Sequence, residues 1–263
     1  MSDTKQVILS LFPGADLLGM GYEHSGFCVL RGPDLIFGRD VRHFSGEGLR
    51  GKVSGIIAGV PCQFFSNATK VKNRINHSDL WPEFWRIVGE VQPDWVQAEN
   101  VKGAELASTS MFDVPHGYNP TVRTMLLSGL GSAQARPRMI LFSSKGGKLD
   151  SAFWKSLETA GRKNGDAWRL LIGRDVVDSP RYATITGDKL EHRNRGTGKP
   201  ARNIQGDDLL DAFDLPADYR FDPKNIYRLV NRTKARLITQ GVPVAAAYAI
   251  AMSVKAAISG KDK

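Results

Sequence analysis

A cysteine follows a predicted strand at a turn where it could act as a nucleophile. The segment GVPCQFFS at residues 59–66 comes directly after the apolar run 55–58. Its rigid Gly-x-Pro turn would present Cys62 at the edge of a sheet, and a nearby helix start would lower the pKa of the thiol. Thiolates are strong nucleophiles near neutral pH. A buried, inert cysteine is the alternative, but Gln63, Ser66 and the basic residues beyond them are unusual in a core segment.

An acid and two arginines follow at the ends of further apolar runs. Glu99 comes after the predicted strand 94–98. In a partly dry pocket its carboxyl group could stay protonated at neutral pH and donate a hydrogen bond. Gln134, Arg136 and Arg138 alternate along an extended segment, which predicts that they share one side. Guanidinium groups suit a base carbonyl, a phosphate or a carboxylate. Taken singly, each of these residues could equally be an ordinary surface residue.

A glycine-bearing turn near the start of the chain is a candidate ligand site. The segment LFPGADLLG at residues 11–19 runs from a predicted strand into a helix. Ligands of open α/β sheets bind at such carboxyl ends of strands, although the spacing here is not GxGxxG and an ordinary strand–helix connection remains possible. Asp34 follows about 20 residues later, a distance suited to a ribose hydroxyl. Asp40 could accept a hydrogen bond from an adenine amino group, but both acids could also be turn residues.

The wider pattern predicts a doubly wound α/β fold with a mostly parallel, Rossmann-like sheet and a small irregular subdomain. Apolar runs typical of buried strands alternate with helical periodicity. After about residue 145 the chain becomes rich in Gly, Lys and Arg, which indicates an irregular subdomain or mobile basic loops. The predicted strands are 6–12, 27–30, 54–58, 95–98 and 139–143, and the clearest predicted helices are 79–91, 225–235 and 244–258.

Composition narrows the classes of function. The net charge of +9 favours a polyanionic partner, with nucleic acid first. The two cysteines are too few for a disulfide framework, and no Cys or His cluster has metal-ligand spacing. No apolar run approaches the roughly 20 residues that a membrane span needs, and the first residues lack the pattern of a signal peptide. We therefore expect a cytoplasmic protein without a metal and without a membrane partner.

Taken together and in order, these segments resemble the cytosine-C5 DNA methyltransferases. The Pro-Cys-Gln, Glu-Asn-Val and Gln-x-Arg-x-Arg motifs are jointly specific at these separations, and the resemblance runs through most of the chain. The matching segments are residues 11–19, Asp40-Val41, 59–66, 99–101, 134–138, 183–186, 208–218 and 240–244.

The resemblance implies a reaction and a role for each residue. A cytosine would be flipped out of double-stranded DNA, Cys62 would attack its carbon 6, and Glu99 would bind N3 and the amino group. Arg138 would bind the carbonyl O2, and Arg136 would orient Glu99. Carbon 5 would take the methyl group of S-adenosylmethionine, which leaves S-adenosylhomocysteine. The residues implied to contact this cofactor are Phe12, Gly14, Asp16, Leu17, Asp34, Asp40, Val41, Pro61 and Leu80.

The resemblance also implies an organisation. Residues 1–144 would form the catalytic domain that binds S-adenosylmethionine, residues 145–222 a short target-recognition region, and residues 223–263 helices that return to the catalytic domain. A monomer is expected, in a bacterial or phage-infected cell and in the setting of restriction–modification. The short recognition region, with basic residues suited to phosphates, indicates relaxed specificity or the reading of only a few bases.

The chain departs from the family pattern at three places. The first motif lacks a second close glycine, Thr239-Gln240 replaces the usual Gly-Asn pair, and the interval between Asp34 and Asp40 is too short for a crossover helix. Two alternatives stay open: an RNA cytosine-C5 methyltransferase on the same scaffold, and a DNA-binding member that has lost turnover. The altered motifs slightly favour the second alternative, whereas intact Cys62, Glu99, Arg136 and Arg138 count against it.

Overall fold

The structure is a computed structural model that describes residues 6–62, 79–110, 113–183, 185, 191–192, 202–203, 207–219 and 237–260. The basic stretch after Cys62 and the predicted helix 225–235 lie outside the described residues.

Six strands form the central sheet. Their bounds are β1 Val7–Leu11, β2 Cys28–Arg31, β3 Gly55–Gly59, β4 Trp95–Asn100, β5 Thr121–Leu126 and β7 Pro137–Ser144, in the spatial order β2-β1-β3-β4-β7-β5. The first four of these pair in parallel, while β7 runs antiparallel to both β4 and β5. The expected mostly parallel α/β sheet is confirmed, and its central strands read as continuous apolar runs because both of their faces are covered.

Helices cover both faces of the sheet. Alternate residues of each central strand enter different apolar clusters, so that Ile8 lies in one cluster and Leu9 in the other. One face packs under the helix Trp81–Val91 (α2), which follows α1 at Leu17–His24. The other face packs under α1, Asp150–Leu171 (α4) and Val244–Ser259 (α6). Two short helices, Glu105–Ser108 (α3) and Asp207–Ala212 (α5), complete the described set.

The crossover from β2 to β3 contains no α-helix in the structure, which describes this whole stretch. Three 3-10 turns stand in its place, at Leu35–Phe37, Val41–His43 and Glu47–Leu49. The short interval between Asp34 and Asp40 lies within this crossover, which runs from residue 32 to residue 54. One consequence is that β2 is an edge strand whose residues are mostly exposed.

Helix α4 differs from what the sequence indicates. Weak periodicity after residue 145 predicts irregular structure, yet 22 residues form one helix whose Phe153, Trp154 and Leu157 enter the core cluster of α6. Its polar composition hides the helix. Gly165 lets α4 come close to the backbone of Leu130, because a Cβ at residue 165 would lie 1.8 Å from the carbonyl oxygen of Leu130.

A third apolar cluster joins the segment 207–219 to the rest of the chain. Phe213 and Leu215 of this segment are fully buried in the same cluster as Trp168 of α4 and Leu17 of α1. Three two-residue strands lie outside the central sheet together with β6, Gln134–Ala135: they are β8 Tyr182–Ala183, β9 Glu191–His192 and β10 Arg202–Asn203. β6 pairs with β8, and β9 pairs with β10. No helix in the described part of the chain is long and apolar enough to span a membrane.

Candidate active site

Strand register brings Cys62, Glu99 and Arg138 to one end of the sheet. Gly59, the last residue of β3, pairs with Glu99 of β4, and Cys62 follows three residues beyond Gly59. Antiparallel β7 pairs its Ile140 with Glu99, so Arg138 enters the sheet at this same end. The carboxyl ends of β3 and β4 thus meet the amino end of β7, where the sequence predicts the site.

Glu99 and Arg138 form a largely buried ion pair. Nε of Arg138 lies 2.7 Å from Oε1 of Glu99, and the two side chains are 10% and 9% exposed. A second nitrogen, Nη1 of Arg138, donates to the carbonyl oxygen of Pro137 at 2.7 Å. The resemblance implies that Arg136 orients Glu99. In the structure the direct ion pair with Glu99 is made by Arg138 instead.

The Cys62 thiol lies within reach of these charges. Burial raises its pKa above the ordinary value, and the carboxylate of Glu99 raises it further. The guanidinium groups of Arg138 and Arg136 act in the opposite direction. The expectation of a lowered pKa is therefore wrong for this state, because desolvation of a thiolate outweighs the two positive charges.

Arg136 is buried and held by carbonyl oxygens. Its Nη1 donates to the carbonyl oxygen of Ile185 at 2.9 Å, and its Nη2 donates to that of Thr239 at 3.0 Å. Burial, with Arg138 close by, lowers its pKa to about 9. Nε of Arg136 is buried without a hydrogen-bond partner. The side chain thus connects the site to segments far away in sequence.

Asn100 is a positioning residue to which the sequence assigns no separate role. Its Nδ2 donates to the carbonyl oxygen of Val60 at 3.1 Å, and its Oδ1 accepts from the N–H of Val101 at 2.8 Å. Val60 lies two residues before Cys62, so this side chain ties the cysteine turn to the end of β4. The signal was its place beside Glu99 in the Glu-Asn-Val motif.

The turn after β1 forms an open cradle next to this site. Phe12 and Gly14 both have a positive φ, of 54° and 56°. A Cβ built on Gly14 would meet only Ile36 Cδ1, at 4.0 Å, which leaves room for a ligand against the backbone. Asp34 closes the cradle, since its Oδ2 accepts from the N–H of Gly14 at 2.9 Å and its Oδ1 from that of Ile36 at 2.8 Å.

The side chains of Asp16 and Leu17 are occupied within the fold. Asp16 caps α1 with φ 52°, and its carboxylate accepts from the Ser10 hydroxyl at 2.9 Å and pairs with Nε of Arg31 at 2.7 Å. Leu17 is buried against Gly241. Both residues can therefore face the cradle only through their backbone.

The remaining candidate cofactor residues are spread along the neighbouring turns. Asp40 is tied to Arg42 through an exposed ion pair of 2.6 Å, which lowers its pKa to about 2. Val41 is buried in the α2 face of the core, with Leu80 packed against the same cluster. Pro61 is half-buried directly before Cys62. Among the residues that the structure describes, no group of His, Cys, Asp and Glu could hold a metal ion.

Comparison with known proteins agrees with this geometry. The profile of C-5 cytosine-specific DNA methylases matches residues 36–158, a range that contains Cys62, Glu99, Arg136 and Arg138. Residues 36–158 of the chain thus match the C-5 cytosine-specific DNA methylase family.

Curated relatives of the chain are bacterial methyltransferases. The type II methyltransferase M.FnuDI of Fusobacterium nucleatum is 31% identical over 156 residues, which cover 50% of this chain and 45% of the relative. M.HgiDI of Herpetosiphon aurantiacus is 33% identical over 175 residues, or 65% and 54% of the two chains. The chain thus spans about half the length of the curated relatives that it matches.

Solved structures show the methylase fold over nearly the whole chain. The Entamoeba histolytica methyltransferase EhMeth superposes with a TM-score of 0.64 at 13% identity, covering 96% of this chain and 98% of the other. The S. pombe Dnmt2 methyltransferase gives a TM-score of 0.61 at 13% identity, with coverages of 95% and 99%. At such identities the likeness concerns the fold alone.

Proposed function

We propose that this protein methylates carbon 5 of cytosine in double-stranded DNA, with Cys62 as the nucleophile. The convergence of the Cys62 thiol with the Glu99–Arg138 ion pair carries the proposal. A nucleophile, an acid and a cation that meet at one sheet end are the groups needed to add a thiol to a pyrimidine and to disperse the resulting charge. The family match and the bacterial type II relatives support the choice of cytosine in DNA.

The reaction would proceed by covalent catalysis. The target cytosine leaves the duplex stack, the Cys62 thiol gives up its proton to solvent, and its sulfur bonds to carbon 6. Electron density moves onto carbon 5 and toward N3, where Glu99 hydrogen-bonds the ring and disperses the charge. Carbon 5 would then take up the methyl group that a bound methyl donor supplies. A solvent base removes the carbon 5 proton as the bond from carbon 6 to sulfur breaks, which restores Cys62.

Arg138 holds Glu99 in the orientation that this chemistry needs. Because its Nε is used by Glu99 and one Nη by Pro137, its remaining nitrogen is the one we assign to the cytosine carbonyl O2. Burial raises the pKa of Cys62 in the structure. A base in the pocket is therefore expected to reorganise this environment before attack, which couples thiolate formation to base flipping.

The open cradle fits S-adenosylmethionine. This cofactor would supply an electrophilic methyl group. The backbone of Phe12, Gly14, Asp16 and Leu17 would lie against it, with Pro61 and Leu80 at its flanks. Asp34 fixes the turn and would also face the ribose. Asp40 and Val41 would meet the adenine, although the ion pair to Arg42 leaves Asp40 less free than the sequence indicates.

The partner and the setting follow from the same proposal. A net charge of +9 suits a polyanion, and the phosphates of DNA would supply most of the affinity. We further propose a monomer that acts in the cytoplasm. The division into a catalytic domain at 1–144, a recognition region at 145–222 and returning helices at 223–263 remains a proposal. Helix α4 packs on the catalytic core although it lies within the proposed recognition region.

The deciding experiment combines sequencing with a covalent trap. Bisulfite sequencing of DNA from cells that express the protein should show protected cytosines in a defined context. Duplexes that contain 5-fluorocytosine should form a one-to-one adduct with the purified protein and S-adenosylmethionine. Cys62→Ser should abolish both signals while cofactor binding is kept, and Cys28→Ser is the matched control because Cys28 lies exposed on β2.

Parallel reactions with structured RNA distinguish the nucleic acid. Methylation of RNA but not of duplex DNA would overturn the choice of substrate and leave the cysteine chemistry in place. Tight DNA binding without a covalent adduct in any sequence context would indicate that the protein binds DNA but has lost catalytic turnover.

A further inference from the structure

Gln134 occupies a fully buried position two residues before Arg136. Its side chain is 0% exposed at the start of the strand pair β6–β8. A buried carboxamide is stabilised by partners for both its oxygen and its nitrogen, since an unpaired buried polar group is destabilising. The partners of Gln134 therefore reveal which groups this position holds in place.

The carboxamide of Gln134 bonds three separate segments. Its Oε1 accepts from the N–H of Ile185 at 3.1 Å and from Nη1 of Arg136 at 3.3 Å. Its Nε2 donates to the carbonyl oxygen of Ala212 at 3.3 Å. Ile185 and Ala212 lie 51 and 78 residues away along the chain. One side chain thus joins the end of the β8 segment, the end of α5 and the guanidinium group of Arg136.

Arg136 depends on the same segments for its own position. Its guanidinium group donates to the carbonyl oxygen of Ile185, the residue whose N–H is bound to Gln134. It also lies over the ring of Phe213, next to Ala212, with 5.8 Å from Cζ to the ring centroid. Because carbonyl oxygens and a ring hold this cation, a shift of either segment would displace it from Cys62 and Glu99.

We propose that Gln134 is a positioning residue that fixes the segments at Ile185 and Ala212 relative to Arg136 and Arg138. Methyl transfer is then fast only when both segments are correctly placed. The proposal rests on the proposed function and deepens it. Gln134 touches neither base nor cofactor in this view. It transmits the placement of Ile185 and of the 207–219 segment to Arg136, and through Arg136 to the groups around Cys62.

Two substitutions of Gln134 separate positioning from simple packing. Gln134→Leu keeps the approximate volume and removes both hydrogen-bonding functions. Gln134→Glu keeps an acceptor for Ile185 and Arg136, loses the donor to Ala212 and adds an ionisable carboxyl group beside Arg136. Gln97→Leu is the matched control, because Gln97 is also fully buried but its Oε1 accepts from the Tyr22 hydroxyl at 3.3 Å in the core.

Single-turnover methylation at saturating DNA and cofactor is the main measurement, alongside calorimetric cofactor binding and thermal unfolding. We expect Gln134→Leu to slow methyl transfer by about 10- to 100-fold, the scale of a displaced reacting group, with the cofactor Kd within about threefold of wild type. Gln134→Glu should recover part of the lost rate. Gln97→Leu should lower the unfolding temperature while its transfer rate stays near that of wild type.

Each outcome decides between the possibilities. A Gln134→Leu protein that transfers at the wild-type rate overturns the positioning role while the proposed function stands. Equal rate losses in Gln134→Leu and Gln97→Leu that follow the loss of stability would also overturn it, since packing alone then explains them. A wild-type protein that methylates no cytosine in DNA removes the proposed function, and this inference with it.

Discussion

Nε of Arg138 lies 2.7 Å from Oε1 of Glu99, so the acid proposed to bind the pyrimidine ring is held by an arginine on the adjacent strand. Burial raises the pKa of the Cys62 thiol, and the same carboxylate raises it further. One acidic group therefore acts on both the substrate side and the nucleophile side of the site.

Glu99→Gln should make the Cys62 thiol more acidic. Removal of a negative charge near a thiol favours the thiolate, so its pKa should fall and its alkylation at about pH 8 should become faster. The measurement is the rate of iodoacetamide labelling against pH, followed by mass spectrometry in a Cys28→Ser background that leaves a single cysteine. Glu158→Gln is the control, because this exposed carboxylate pairs with Arg123 away from the site. A slower reaction in Glu99→Gln than in the control protein would contradict the assigned electrostatics.

Glu99→Gln should also lose stability and activity. A buried guanidinium left without its carboxylate costs about 3 kcal/mol, whereas loss of an exposed pair such as Arg123–Glu158 costs about 0.5 kcal/mol or less. Urea unfolding of both variants measures this contrast. Methyl transfer by Glu99→Gln should fall by at least about 100-fold if its acid supports the reaction. Equal midpoints for the two variants would mean that the Glu99–Arg138 pair behaves as a surface contact.

Asp34→Ala should weaken the cofactor. Its carboxylate holds the N–H groups of Gly14 and Ile36, and their release would loosen the cradle. We expect the Kd for S-adenosylmethionine to rise about tenfold, equivalent to one charged hydrogen bond. Calorimetry measures it. Asp94→Ala is the control, an exposed acid at the opposite end of β4. An unchanged Kd in Asp34→Ala would remove the cradle from the cofactor site.

How much of the fold the sequence predicts depends on how far apart along the chain the interacting residues lie. Continuous apolar runs predict β1, β3 and β4, because strands covered on both faces need apolar residues throughout. Strand β5 escapes notice because it is an edge strand with mostly exposed side chains. Helix α4 is missed because Gly161, Gly165 and Arg169 stand on its buried face, where a sequence pattern would need apolar side chains.

The candidate site divides in the same way. Cys62, Glu99 and Arg138 are predictable because each stands at the end of a strand, and neighbouring strands bring such ends together. Two distant partners of Arg136 are not predictable. Ile185 and Thr239 lie 49 and 103 residues from it and contribute only backbone carbonyls, which every residue has.

Asp16→Asn should remove a pH dependence of stability. Burial raises the pKa of Asp16 from 3.8 to about 6. The folded state therefore binds this proton more tightly than the unfolded state, and the stabilisation present below about pH 4 is lost as the pH rises through about 6. The unfolding free energy of wild type should fall relative to Asp16→Asn over this window, by at most about 3 kcal/mol.

Denaturant titrations at several pH values give this difference directly. Comparison of the two proteins cancels the contribution of Asp214, whose pKa burial also raises to about 6. A constant difference between wild type and Asp16→Asn across the window would show that the carboxyl group titrates normally.

DNA affinity should fall steeply with salt if phosphate contacts dominate binding. We expect at least about a tenfold loss between about 50 and 200 mM salt, because bound counterions are released on association. Fluorescence anisotropy with a short duplex measures the slope. Cofactor affinity over the same range is the internal control and should change little. A DNA affinity that does not change with salt would mean that the net charge of +9 does not contribute to DNA binding.

Helix α6 lies against α1, so close that a Cβ on Gly21 would come within 2.6 Å of the backbone of Ala247. These helices are separated by most of the polypeptide. The core beneath β1 and β3 can therefore form only after α6 packs against α1 from far along the chain. Such long-range contacts make folding slow. Until α6 is in place, the apolar face of β1 and β3 stays exposed and can aggregate with other chains. We therefore expect the protein to depend most on chaperones during this interval.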